Sequence, residues 1–107
     1  MNEAPPFDPR LISEALGATD MDLSLSRMEE LDQALRAEIQ RLVRVAQRHA
    51  DAAPLRSRTW YALIQAAERA EDAAQYQLGA APLAGAIHVG ELARRVCELR
   101  DVIEVPR

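Results

Sequence analysis

Lysine is missing from this chain: all 13 basic residues are arginine. Together with the alanine excess, that reads as coding bias toward GC-rich codons. A bidentate arginine clamp is the sharper reading, and no local cluster demands one. Cysteine occurs once, at Cys97, so no internal disulfide forms, and its helical context makes it a small buried hydrophobe. Aromatics are 4% of the residues, which limits how much transfer energy a core can gather. No run approaches the roughly 18 apolar residues of a membrane span. The first residues are acidic and proline-rich, without a basic or apolar leader region, so a cytoplasmic protein is expected. No segment alternates like a strand. No G-x-G-x-x-G, Walker loop or G-x-S-x-G occurs, so no enzyme and no cofactor are expected.

What the chain does have is helical periodicity. Met28, Leu31, Leu35, Ile39, Leu42, Ala46 and Ala50 recur three or four apart, the spacing of one helix face. Ser26 and Glu29 form a capping-box pattern ahead of them. A helix of roughly 35 Å is expected from about Arg27 to Ala50, ending before Pro54. A second helix starts at Ser57 or Thr59, carries Trp60, Leu63, Ile64, Ala67, Ala70, Ala74 and Leu78, and stops at Gly79. Its alanines at Ala62, Ala66 and Ala73 suggest that it sits centrally. A third runs from Pro82 to about Glu104, with Leu83, Ile87, Leu92, Val96, Leu99 and Ile103 as its core stripe. Gly85 and Gly90 weaken it locally and permit close helix contact. A short leading helix is capped by Asp8, opened by Pro9 and stopped by Gly17. The expected fold is all-α: an antiparallel bundle of three long helices behind one short one, with residues 1–7 as a flexible arm and 8–105 as a single domain.

Candidate sites are few. Between Arg36 and Arg58 six arginines face two acids, Glu38 and Asp51, although the whole chain is at −4. Arg41, Arg44 and Arg48 share a helix face and could contact an anion or phosphates. A solvated face partnered by the acidic first third is the blander reading. His88 and Glu91 stand one turn apart, but neither they nor His49 complete a metal set, and surface or helix-end histidines are expected. Trp60 is expected to plug one end of the core, with Tyr61 pointing elsewhere and Tyr76 at the opposite end. Val43, Val45, Val102 and Val105 extend beyond the stripes as candidate interface residues.

The run from Gly85 to Leu99, with His88 and then Leu92-Ala93-Arg94, Val96 and Leu99 at helical spacing, resembles the C-terminal signature of a family of small all-helical actinobacterial proteins of unknown function. The resemblance implies a stand-alone helical domain with no established activity. Val89-Gly90-Glu91 departs from its more basic or alanine-rich pattern. The expected function is a non-enzymatic interaction or regulatory module, binding itself as a dimer or another protein, without a membrane. A nucleic-acid-associated regulator using Arg36 to Arg58, and a small-ligand binder with a crevice beside Gly85 and Gly90, are the alternatives.

Overall fold

The computed structural model describes residues 7–105. The expected arm at 1–6 lies outside them. Phe7 belongs to no arm: it packs against the core, with the Arg100 guanidinium 5.3 Å above its ring. Four α-helices follow: α1 (Arg10–Leu16), α2 (Leu25–Ala52), α3 (Arg58–Ala74) and α4 (Pro82–Glu104), with a 3₁₀ turn at Ala18–Asp20. No strand occurs among the described residues. The all-α bundle of one short and three longer helices is the fold expected.

All seven stripe residues of α2 are buried, and the helix is about 42 Å long. Its start differs from the capping box. Ser24 is the cap, its hydroxyl accepting the Arg27 N–H at 3.1 Å, and Ser26 lies inside the first turn. The reason is visible two residues upstream. With Ser24 as the cap, Leu23 and Met28 take the positions of a hydrophobic staple, and both pack into the core. A Ser26 cap would assign those positions to exposed Leu25 and Glu30.

The α2–α3 turn is closed by the Ser57 N–H on the Pro54 carbonyl at 3.0 Å, with Arg56 at φ 65°. Ser57 then caps α3 through the Trp60 N–H. Leu63, Ala66, Ala67, Ala70 and Ala73 are buried, while Trp60 and Ile64 are partly so. Trp60 packs against the core edge and meets exposed Tyr61 edge-on at 5.0 Å. This helix ends at Ala74, four residues before the expected Leu78.

Among the α-helices α3 meets only α2 and α4, whereas α2 and α4 each touch all the others, and α4 touches the 3₁₀ turn as well. Its buried face is Gly85, Ala86, Val89, Gly90, Leu92, Ala93, Val96 and Leu99. Small residues allow close approach on two sides. A Cβ on Gly90 would stand 3.5 Å from the Ala15 carbonyl of α1, and one on Gly85 would meet the Met28 sulfur at 3.0 Å. The crevice expected beside these glycines is therefore filled by protein. The same rotation turns two expected core residues outward: Leu83 is 63% exposed and Ile87 54%. Burying glycine and alanine against the Met28 and Leu78 side chains and the α1 backbone wins over burying two larger side chains.

The cap assignment is checked by paired alanine variants. Ser24→Ala is expected to lose ~1 kcal/mol in denaturant unfolding, and Ser26→Ala close to none.

Candidate functional site

A groove lies between α3 and the first half of α4. It has a volume of about 570 Å³ and is walled by Ala73, Tyr76, Ala84 and Ile87, with His88 among its lining residues. That volume lies in the range of small-molecule sites, although the groove is open along one side. Arg69, Asp72, Glu91 and Arg95 line it as well.

Behind the groove lies a polar cluster that local spacing does not announce. His88 Nε2 is 2.8 Å from Asp32 Oδ1 and 3.2 Å from Arg36 Nη2. Arg36 Nε donates to the same Asp32 oxygen at 2.9 Å, while its two terminal nitrogens donate to the carbonyls of Ala74 and Tyr76. This guanidinium caps α3. The last carbonyls of a helix lack intrahelical partners, and a cation there also suits the helix dipole. The residues after Ala74 leave the helix, and Leu78 returns to the core as part of the loop, where it lies beside Gly85.

His88, expected at a helix end or on the surface, is thus mid-helix and only 11% exposed at its side chain. Its expected neighbour Glu91 turns instead to Arg94 and Arg95. Among the described residues no group of three or more His, Cys, Asp or Glu is placed to hold a metal ion. His49 is half-buried in the last turn of α2, and Cys97 is half-buried on α4.

The arginine row divides. Arg41 donates through Nε and Nη2, both at 2.8 Å, to Glu38, a carboxylate buried on the α2 face toward α4. Arg100 of α4 reaches the same carboxylate at 3.2 Å. Arg41 is therefore a structural partner, and only Arg44 and Arg48 of the row remain exposed and without an ion pair among the described residues. Burial alone would push the Glu38 carboxyl up. The hydrogen bonds and charges of Arg41 and Arg100 more than offset it and hold the carboxyl below its ordinary value. At the other end Arg27 grips Glu14 of α1 with two donors, at 2.6 and 2.5 Å, and those bonds lower the Glu14 carboxyl too.

The four interface valines scatter. Val43 is buried in the core, because it lies one residue along from Leu42 on the side facing the other helices, so it is not an exposed contact. Val45 is half-buried. Val102 and exposed Val105 line a shallow cleft with Arg58, Thr59 and Ala62, at the end of the bundle opposite the groove. The structure puts Tyr76 and Ile87 on the groove wall, where periodicity had placed Ile87 in the core.

A family of unknown function, DUF6415, matches residues 10–107. The chain belongs to this family. No curated protein and no solved structure matches it. The DUF6415 match takes in all four helices, and with them every residue of the groove and of the Asp32–Arg36–His88 cluster. No helix among the described residues is long and apolar enough to cross a membrane.

Glu38 sets a pH prediction. A carboxyl depressed in the folded state adds stability above its unfolded pKa, about 4.3, and that stability is lost as pH falls through the folded value. Glu38→Gln is therefore expected to cost about 1–2 kcal/mol at pH 7. The gap from the native chain should narrow steadily below about pH 4 in a series of denaturant melts.

Proposed function

We propose that this DUF6415 chain is a non-enzymatic protein-interaction module that associates with a second copy of itself. One observation carries the reading. Ile87 and Tyr76, 54% and 71% exposed, wall one groove, and Leu83, on the same helix as Ile87, is 63% exposed, although small residues occupy the buried face of that helix. Leu83 and Ile87 are one helical turn apart and so form a continuous patch with the groove wall. Large apolar side chains gathered at one place on a small domain mark a surface that is covered in use.

The thermodynamics point the same way. At 107 residues the core holds much alanine, and its largest fully buried side chains are leucine, isoleucine and valine. Such a core leaves little surplus stability, and binding that occurs only in the folded state supplies more. Phosphate contact is the less supported reading. It retains two exposed arginines of the original row on a chain of net charge −4.

Native mass spectrometry and sedimentation equilibrium test the proposal. The expected mass is twice 11.9 kDa at micromolar concentration. A single copy across the whole concentration range would refute self-association.

A further inference from the structure

We propose that the α3–α4 groove binds a small zwitterion, an α-amino acid with an apolar side chain. The site is independent of the self-association proposed above. Arg58 and Ala62 of α3 share a cleft with Val102 and Val105 of α4, and Arg69 Nε donates to Glu98 at 2.9 Å, so the two helices run antiparallel. One turn along from that bond, toward the loop between the helices, come Asp72 on α3 and Arg95 on α4. Both line the groove, one on each wall, and no ion pair joins them.

These two groups carry charge that the chain itself leaves poorly served. The Arg95 side chain is only 21% exposed, yet its Nε is buried without a hydrogen-bond partner. Glu91, 3.3 Å from that nitrogen, is shared with Arg94 at 3.5 Å, and Glu98, 3.6 Å from Nη1, already accepts from Arg69. The guanidinium has five N–H donors and meets two ion pairs, neither with hydrogen-bond geometry, and donors withdrawn from water without acceptors are costly. A ligand carboxylate, which accepts two parallel N–H groups from one guanidinium, supplies what is missing. Asp72 is exposed and has no ion pair among the described residues. It would repel a ligand carrying the carboxylate alone, and Arg95 would repel a ligand carrying only a cation. A molecule with an ammonium and a carboxylate on one carbon answers both walls at once. Between these charges and the loop, Ala73, Ala84 and Ile87 give the groove an apolar stretch, and the two alanines leave room there for an apolar side chain.

The test follows amide chemical shifts of the full chain by nuclear magnetic resonance as one of three probes is added: L-phenylalanine, 3-phenylpropionate, which lacks the ammonium, or phenethylamine, which lacks the carboxylate. L-Phenylalanine is expected to move amides within residues 72–77 and 84–95, which contain the groove lining. Each analogue should bind at least about tenfold more weakly, because each loses one charged contact. Arg95→Met and Asp72→Asn, with helicity confirmed by circular dichroism, should each raise the L-phenylalanine Kd by a similar factor. Arg44→Met, on exposed α2 surface outside the groove, should leave it unchanged. The comparison of probes on the native chain needs no variant to fold. Binding of either analogue as tight as that of L-phenylalanine would overturn the amino-acid assignment. The absence of groove shifts with all three probes would overturn the site. Either result is read separately from the mass of the chain, so it leaves self-association standing or falling on its own measurement.

Discussion

The Arg36 guanidinium projects from α2 and gathers groups from three helices. It holds the Asp32 carboxylate on its own helix, the carbonyls of Ala74 and Tyr76 at the end of α3, and the His88 ring on α4. Those bonds fix where α3 ends. The residues after Ala74 then become a loop that turns Leu78 inward and delivers the chain to Pro82. With His88 held against α2, the rotation of α4 is set as well. Gly85, Ala86, Val89 and Gly90 face the protein, and Leu83 and Ile87 face water. The exposed side chains and the groove beside them are thus consequences of one half-buried polar anchor together with a run of small residues.

That anchor resembles others in the molecule. Arg27 ties α1 to α2 through Glu14, and Glu38 ties α2 to α4 through Arg41 and Arg100. In an alanine-rich core, where each buried side chain contributes little transfer energy, partly buried arginine–carboxylate pairs supply the specificity that large side chains would otherwise provide. The arginine bias read from composition therefore has a structural counterpart: Arg27, Arg36, Arg69 and Arg100 join one element to another, while Arg44, Arg48, Arg56 and Arg58 are exposed without an ion pair among the described residues.

How much of this was legible depended on the range of the interactions involved. The stripe of α2 was complete in the sequence because a long helix packed on one face obeys a single period, and all seven residues are buried as expected. The start of α4 at Pro82 and its buried Leu92, Val96 and Leu99 were legible for the same reason. The first half of α4 was not. Its buried face is made of glycine and alanine, which carry little hydropathy signal, so Leu83 and Ile87 were assigned to the core in their place. The end of α3 was misjudged because Gly79 is a good local stop, whereas the group that ends the helix lies 38 residues away. His88 and Asp32 are 56 residues apart, beyond the reach of any spacing rule. The interface valines followed from the same limit: periodicity identifies an apolar residue but cannot say which side of a helix a neighbour will cover.

The most direct test of this account is the position of the α3 boundary in solution, read from backbone carbon chemical shifts by nuclear magnetic resonance. In the native chain helical shifts should stop at Ala74, and in Arg36→Ala they should extend toward Leu78, where the local sequence alone would end the helix. The same boundary in both chains, whether at Ala74 or at Leu78, would contradict the claim that Arg36 sets it.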